Sequence, residues 1–370
     1  MQALLAAAVL ACLVAALGAL LIVRSARLHA WCSADHDFSG PQKFHGRAVP
    51  RIGGLALWAG FMAACAVWLP QRPEHLPLLG GLLLCALPVL GGGLWEDLTK
   101  RISPRRRMAL LAVGALAAAW SLEATITRTG VPGLDWLAAW PVGAVLLALF
   151  VVLGVSNAVN IIDGFNGLAS MCSVIMLAGL GAVALQVGDG AIAGAALLLL
   201  AATLGLFLLN YPLGLIFLGD GGAYFLGFMI SELGILLLVR NPQVSPLFPL
   251  LLCAYPVVET LFSMYRRRVL RGRPMVAPDG VHLHSLIYRR LVRWAVGSRD
   301  AQELLRRNSL TAPYLWVACV LAVLPAVLFW DSSAALGSCL LLYAAAYVSL
   351  YWRIVRFRAP RWLVRRPVLA

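Results

Sequence analysis

The sequence predicts an all-α, polytopic integral membrane protein with about eleven transmembrane helices. Of its 370 residues, 61% are hydrophobic and only 12% are charged. A soluble globule of this composition would have too few polar residues to cover its surface. A helix needs about 20 apolar residues to cross a hydrocarbon core of about 30 Å, and such runs recur along the whole chain. The bilayer is therefore the expected solvent.

Each predicted helix corresponds to one apolar run. In chain order the predicted spans are 3–23, 52–69, 78–95, 108–122, 136–155, 168–187, 191–209, 222–239, 246–264, 312–330 and 334–352. The first run has no Lys or Arg before it and has Arg24 and Arg27 after it. This is opposite to the charge arrangement of a cleaved secretory signal, so we expect this helix to be retained.

The distribution of Lys and Arg predicts that the N-terminus lies outside and the C-terminus inside. Basic residues accumulate in short cytoplasmic loops near the membrane. With this orientation, all but Arg72, Arg128 and Arg240 of the 30 Lys and Arg residues fall inside. Juxtamembrane residues that favour anionic lipid headgroups then explain the net charge of +14, and no nucleic-acid partner is expected.

We expect one polytopic membrane domain over residues 1–370, because neither a repeat of 20 to 50 residues nor a low-complexity linker stands out. Its cytoplasmic loops are predicted at 24–51, 95–107, 156–167, 210–221 and 265–311. The eight cysteines contain no Cys-x-x-Cys pair, and all but Cys32 lie in apolar spans. Neither a disulfide framework nor a zinc site is therefore indicated.

Acidic residues are few, and a carboxylate in or beside a membrane span is a functional-site hypothesis by default because it is costly there. Five acids fall at the predicted cytoplasmic face: Glu96, Asp97, Asp163, Asp220 and Asp279. Glu96 and Asp97 follow the Gly91-Gly92-Gly93 run and precede a basic segment that includes Arg105, Arg106 and Arg107. Adjacent acids and bases suit a hydrated Mg²⁺ and the diphosphate that it neutralises. The alternative is an acidic helix end paired with its basic neighbours.

Two further clusters carry carboxamides and glycines. Asn157, Asn160, Asp163 and Asn166 are three residues apart and so lie near one face of a helical turn, and Gly164 and Gly167 allow a ligand to approach the backbone. Downstream of Asn210, the segment Gly219-Asp220-Gly221-Gly222 places an acid in a glycine-rich turn where a helix begins. Backbone N–H groups at such a position favour anions, and Asp220 is a candidate metal ligand. The alternative for both clusters is an ordinary polar helix cap.

The fourth cluster, Asp279-Gly280-Val281-His282-Leu283-His284, follows a run of arginines. Side chains two apart point to opposite sides of a regular helix, so a loop or turn is expected if both histidines act together. A zinc site would need more ligands than this segment offers. Phosphate binding by imidazole and guanidinium groups is the favoured interpretation, with a solvated basic loop as the alternative.

Together these blocks resemble the polyprenyl-phosphate N-acetylhexosamine-1-phosphate transferase family, the glycosyltransferase family 4 type of bacterial membrane enzyme. The resemblance extends from Pro41 to about Arg290 and includes Lys43-Phe44-His45 and the segment from Val49 to Leu55. It implies that undecaprenyl phosphate attacks the β-phosphorus of a UDP-N-acetyl sugar and releases UMP. The product would start cell-wall, O-antigen, lipopolysaccharide or related glycan assembly at the cytoplasmic face of the inner membrane.

The resemblance also implies roles for individual residues. Mg²⁺ is the expected metal, with Mn²⁺ as the alternative, and Asp220 is its expected ligand. Asp97 and Asp163, with Glu96, are the expected catalytic acids, and His282 and His284 are expected to contact the diphosphate. The expected substrate-binding residues are Lys43, Asn157, Asn160, Asn166 and Asn210.

The sequence departs from the family pattern at several positions. The usual Asp-Asp pair is Glu96-Asp97, the usual second acid of the Asp-Gly-x-Asp-Gly block is Asn166, and the usual final histidine of the His-x-His-His block is Ser285. The basic residue often found before the Gly-Asp motif is replaced within Pro212-Leu213-Gly214-Leu215. The sugar, the glycan pathway and the oligomeric state stay open.

Two other functions remain as alternatives. A transporter or channel would place ionisable residues deep in its spans, where only Glu232 and Glu259 are candidates. A non-catalytic partner in glycan assembly would tolerate the loss of Asp97, Asp163 or Asp220.

Overall fold

The computed structural model describes residues 2–35, 48–270, 272, 281–292 and 301–358. Lys43, Asp279 and the Lys43-Phe44-His45 segment lie outside the described residues. The chain is predominantly helical, and its one pair of strands in this described part is two residues long, antiparallel, with Ala34 opposite Pro50. The elements in chain order are α1 (Gln2–Arg24), α2 (Ala26–Ser33), β1 (Ala34–Asp35), β2 (Val49–Pro50), α3 (Gly53–Trp68), α4 (Leu76–Thr99), α5 (Pro104–Ser121), α6 (Leu134–Ala138), α7 (Pro141–Ile162), α8 (Leu168–Gln186), α9 (Gly190–Asn210), α10 (Gly219–Arg240), α11 (Leu247–Leu252), α12 (Ala254–Tyr265), α13 (Leu283–Leu286), α14 (Ala301–Leu328) and α15 (Ser333–Val355).

Each of the eleven predicted spans overlaps a helix. The span predicted at 136–155 is shifted, because α7 begins at Pro141 and continues to Ile162, so the first part of the predicted loop 156–167 is helical. Within the described residues, nine helices are long and apolar enough to cross a membrane, which confirms a multi-pass, all-α membrane protein. The other two spans are α5, which begins with three arginines, and the broken pair α11 and α12. Pro256 accounts for this break, because it lacks the N–H that would bond to Leu252 and its ring would crowd that carbonyl in a continuous helix.

Helix α10 forms the centre of the bundle. In an apolar stretch of 18 residues of this helix, 94% of the residues are buried inside the protein, compared with 28% in α1 and 11% in α15. It packs against α3, α4 and α7, so its N-terminal turn meets the ends of these helices. That meeting point brings distant polar segments of the sequence together.

Candidate active site

The first turn of α10 is packed tightly against the elements around it. Gly219 has a φ of +75°, and a side chain there would collide with the carbonyl oxygen of Arg51. On α4, a side chain at Gly93 would collide with the backbone of Gly221. Glycine is therefore required at both positions, by backbone conformation at the first and by close contact with neighbouring backbone at both.

Asp97 holds the N-terminus of α10 in place. Its side chain is fully buried, and its two carboxylate oxygens accept hydrogen bonds from the backbone N–H groups of Asp220, at 2.9 Å, and Gly221, at 2.8 Å. A carboxylate is stabilised at this end of a helix by the unpaired N–H groups and by the helix dipole. The predicted catalytic acid thus has a direct part in positioning Asp220.

Asp220 receives cationic side chains from two other segments. Its Oδ1 accepts from Arg51 Nη2 at 3.5 Å and from Asn160 Nδ2 at 3.1 Å, and its Oδ2 accepts from Arg107 Nη1. Arg51 also lies 3.7 Å from Asp97 Oδ1. Segments that are far apart in sequence therefore meet at one carboxylate.

Asp163 joins the same cluster from the end of α7. The backbone N–H of Gly219 and the guanidinium of Arg51 both favour the charged form of its carboxyl, and it is close enough to Asp97 for the two to interact electrostatically. Burial of the carboxyl raises the pKa of Asp163 to about 7, although Arg51 and the Gly219 N–H act in the opposite direction. The side chain is partly exposed, so it can exchange protons near neutral pH.

The histidine cluster approaches the Asp163 loop. His282 has an extended backbone just before α13, and His284 lies in the first turn of this helix. Their rings stack with centroids 5.0 Å apart, and the His284 ring lies 5.4 Å from the ring of Phe165. The change of backbone conformation between the two histidines brings their rings to one side, and their joint action on a substrate stays a prediction.

Glu96, Asn157 and Asn160 border the cluster and are partly exposed. Glu96 Oε2 accepts from the backbone N–H of Ile102 at 2.8 Å, which fixes the turn after α4. Asn157 Oδ1 accepts from the Tyr224 hydroxyl at 3.5 Å. These side chains remain candidates for substrate contact.

Two predicted substrate-binding residues, Asn166 and Asn210, are buried among protein partners. The Asn166 side chain donates to Ser309 Oγ at 3.3 Å. Asn210 Oδ1 accepts from the Gly167 N–H at 2.6 Å, and its Nδ2 donates to the Ile216 carbonyl at 2.7 Å. Both side chains are less than 5% exposed, so the structure gives them a role in fixing loops. Ser285 is also fully buried.

Arg51 and Arg107 are site residues that the sequence analysis did not select. Both occurred within noted segments, Arg51 in Pro50-Arg51-Ile52-Gly53-Gly54 and Arg107 at the end of the triple arginine. Only the packing of α10 shows that these two contact Asp220. A signal was available, because Arg51 directly precedes Ile52-Gly53-Gly54 and Arg107 directly precedes the apolar run that begins at Met108.

The position in front of Asp220 suits a cation, since two guanidinium groups already lie there. Among the described residues no group of three His, Cys, Asp or Glu side chains is arranged to hold a metal ion. This does not conflict with magnesium, which is usually bound by one or two carboxylates together with water and substrate phosphates. Asp220 is the best-placed ligand, with the Asn160 carboxamide beside it.

Comparison with known proteins agrees with this geometry. The glycosyl transferase family 4 profile matches residues 79–238, which include Asp97, Asp163 and Asp220. A probable undecaprenyl-phosphate N-acetylglucosaminyl 1-phosphate transferase from Bacillus subtilis is 30% identical, over 67% of this chain and 68% of its own. An undecaprenyl-phosphate alpha-N-acetylglucosaminyl 1-phosphate transferase from Thermotoga maritima is 27% identical, over 70% and 74%.

A phospho-N-acetylmuramoyl-pentapeptide-transferase from Synechococcus is 34% identical, over 53% of this chain and 57% of its own. All three relatives are named as transferases. The Bacillus subtilis relative is 30% identical and about two thirds of each chain is aligned. Together with the match to the family profile, this similarity shows that the chain belongs to glycosyl transferase family 4.

Proposed function

We propose that this protein transfers a sugar 1-phosphate from a UDP-sugar to undecaprenyl phosphate and releases UMP. The observation that carries the proposal is the Asp220 carboxylate, which lies at a helix N-terminus between Arg51 and Arg107, with Asp97 and Asp163 beside it. Such a site combines carboxylates for a cation with guanidinium groups for phosphate oxygens. The relatives are named as transferases of this kind.

In the proposed reaction, an oxygen of the lipid phosphate forms a bond to the β-phosphorus of the donor. The bond from this phosphorus to the oxygen bridging the two phosphates breaks, and UMP leaves with that oxygen. Phosphoryl transfer of this kind needs positioning and charge neutralisation more than covalent chemistry by the protein. Arg51 and Arg107 would supply positive charge to the phosphates.

Arg107 is well suited to bind an anion. Its side chain is 17% exposed, and its buried Nε has no hydrogen-bond partner within the described part of the chain. Because a buried donor without a partner is costly, a phosphate oxygen at this nitrogen would stabilise the site. The Tyr224 ring lies 5.8 Å from the Arg107 guanidinium and limits where it can move.

Asp163 is the proposed proton acceptor. With a pKa of about 7, it changes protonation state near neutral pH, as an efficient general base should. It would take the remaining proton of the lipid phosphate and so increase the negative charge on the attacking oxygen. Asp97 would act mainly by holding α10, and His282 and His284 would contact the diphosphate.

Magnesium is the proposed metal, held by Asp220 with Asn160 alongside, and manganese is the alternative. When bound, it would neutralise charge on the diphosphate. Arg51 and Arg107 can turn toward phosphate oxygens if their shared carboxylate takes a metal. Glu96 would support the cluster through the turn that it holds.

The proposal includes the setting of the reaction. The donor would be a UDP-N-acetyl sugar, and residues 1–370 would form one domain in the bacterial inner membrane, with the N-terminus outside and the site at the cytoplasmic face. Eleven crossings would then include α5 and the α11–α12 pair. The product would enter cell-wall, O-antigen or lipopolysaccharide assembly. The C-terminal ends of α4 and α7 and the N-terminal end of α10 meet at one end of the bundle. This arrangement supports a topology in which successive spans cross the membrane in opposite directions.

The test is UMP release by purified protein in detergent with undecaprenyl phosphate, Mg²⁺ and a panel of UDP-N-acetyl sugars. We expect release that requires the lipid and the metal, that stops with a chelator, and that is lost in Asp220→Ala. Asp331→Asn, which changes an exposed carboxylate after α14, should keep full activity. No release from any donor by folded protein would contradict the proposal.

A further inference from the structure

Glu259 is a buried acid on α12 that the proposed mechanism does not yet use. Its side chain is 1% exposed. Oε1 lies 3.0 Å from His282 Nδ1 and accepts from the Leu283 backbone N–H at 3.0 Å. Its other oxygen has no hydrogen-bond partner among the residues that the structure describes. The carboxylate is therefore directed at the histidine segment.

The same segment is held from a second side by α15. The Tyr351 hydroxyl donates to the Val281 carbonyl at 3.1 Å, and the buried Arg266 guanidinium lies 5.3 Å from the centre of the Tyr351 ring. The backbone on both sides of His282 is thus fixed, by Tyr351 before it and by Glu259 after it. The remaining freedom of His282 is the orientation and tautomer of its ring.

A hydrogen bond at one imidazole nitrogen decides what the other nitrogen can do. When a carboxylate accepts from Nδ1–H, the ring is held in one rotation and Nε2 becomes the nitrogen available for the reacting group. His282 is 4% exposed and stacks on His284, so its ring has little room to adopt another orientation. An acid at Glu259 is costly to bury without such a partner.

We infer that Glu259 is a positioning residue that fixes the ring orientation and tautomer of His282, so that Nε2 contacts the diphosphate of the donor. This inference rests on the proposed function for the role of Nε2, but the Glu259–His282 bond itself does not depend on it. Glu259 touches neither substrate nor metal in this arrangement and acts through His282.

Other titratable groups face Glu259 and can contribute to the pH dependence of activity in its variants. They come from α12, the histidine segment and α15: Tyr255, His282, His284, Tyr343 and Tyr347. The three tyrosines stay neutral through the range in which the enzyme would be assayed. The two histidines are therefore the groups through which a change at Glu259 would act.

The variants are Glu259→Gln, which removes the charge at nearly constant shape, and Glu259→Asp, which keeps the charge. Glu232→Gln is the matched control, because Glu232 is another buried acid, 1% exposed, on a membrane helix. We expect Glu259→Gln to lower kcat about 10- to 100-fold with KM nearly unchanged and to alter the pH profile. Glu259→Asp should recover part of kcat, and Glu232→Gln should match the parent.

The second measurement is independent of turnover. The full chain with ¹⁵N-labelled histidine is studied by NMR in nanodiscs, and the His282 signals are assigned with His282→Gln. We expect the Nδ1-protonated form in the parent and in Glu232→Gln, and a changed tautomer or rapid exchange in Glu259→Gln. An unchanged His282 spectrum together with an unchanged kcat in Glu259→Gln would overturn the inference. If the parent releases no UMP, the proposed function fails, and the spectra still decide whether Glu259 fixes His282.

Discussion

Arg51 lies among three carboxylates and supplies positive charge to all of them. It is 3.5 Å from Asp220 Oδ1 and 3.7 Å from Asp97 Oδ1, and it also interacts with Asp163. A planar guanidinium can contact two carboxylates at once, whereas an ammonium acts as a point charge. The residue thus links the acids that α4, α7 and α10 contribute.

We therefore expect Arg51→Lys to lower kcat/KM for UMP release by about 10-fold or more, since charge-assisted hydrogen bonds contribute about 1.5–3 kcal/mol each. Arg72→Lys is the control, because Arg72 forms an exposed pair with Glu74 away from the cluster. Steady-state kinetics on both variants make the comparison. Equal activity in the two would exclude a special role for the Arg51 guanidinium.

The protonation of Asp163 predicts a pH dependence. Its folded-state pKa of about 7 is above the ordinary value of 3.8, so the folded protein binds this proton more tightly than the unfolded chain does. The contribution of the group to stability consequently falls as pH rises from about 4 to about 7 and then levels off. Activity should change in the other direction, rising through pH 7 as the carboxylate forms.

A kcat/KM profile between about pH 5.5 and about pH 8.5, roughly 1.5 pH units to either side of 7, measures this effect. Asp163→Asn should lose most activity and also the rise through pH 7. If that rise persists unchanged in Asp163→Asn, another group is responsible for it.

Sequence reasoning selected acids that the structure brings together around Asp220, but it could not identify the partner of every carboxamide. Asn157, Asn160, Asp163 and Asn166 share a spacing of three residues, yet Asn160 contacts Asp220 while Asn166 bonds to the N-terminal part of α14. Spacing gives the helix face on which a residue lies, but not which later segment packs there. For the same reason the sequence did not show that Asn210 bonds within its own loop, to the Ile216 carbonyl, and its contact with substrate stays a prediction.

At the scale of elements, the contact between α4 and α10 determines whether the cluster forms. Both Gly93 and Gly221 are needed where the two backbones meet, and Asp97 is one helical turn beyond Gly93. The position of Asp97 relative to the Asp220 N–H therefore depends on how closely these helices approach. The sequence showed the glycine run but not which of its members faces the neighbour.

Substitutions within this glycine run should distinguish a glycine that is needed for contact with α10 from one that is not. Gly93→Ala introduces a Cβ that collides with Gly221, and overpacking of this kind costs about 1–3 kcal/mol. Gly91→Ala adds the same group where no atom lies within 4 Å. We expect a lower thermal midpoint and a large loss of activity for Gly93→Ala alone, measured on both proteins in the same detergent. Similar effects at both positions would contradict the close packing of α10 on α4.

The helices themselves were predictable because each apolar run must be helical to satisfy its backbone in the bilayer. The break between α11 and α12 was not predicted, since hydropathy averages over Pro256 and the short gap at Cys253. Hydropathy also did not predict the helices that have no long apolar run, such as α2 and α13. Their positions depend on packing against the ends of long helices.

For the whole molecule, the charge distribution predicts which end of the bundle faces the cytoplasm. Thr99→Cys lies at the proposed inner end and Asp331→Cys at the outer end, and both positions are exposed. In intact cells, a thiol reagent that cannot cross the membrane should label Asp331→Cys above the parent and leave Thr99→Cys at the parent level. Permeabilised cells should show labelling of both. The reverse pattern would place the candidate site outside.

The most direct measurement of the central claim follows the β-phosphate of the donor. Purified protein is incubated with undecaprenyl phosphate, Mg²⁺ and a UDP-N-acetyl sugar that carries ³²P at the β-position, and the lipid fraction is extracted. Transfer of a sugar 1-phosphate predicts that the label enters the lipid together with the sugar while unlabelled UMP is released. Sugar in the lipid without the label, with labelled UDP in the aqueous phase, would contradict the account and indicate simple glycosyl transfer instead.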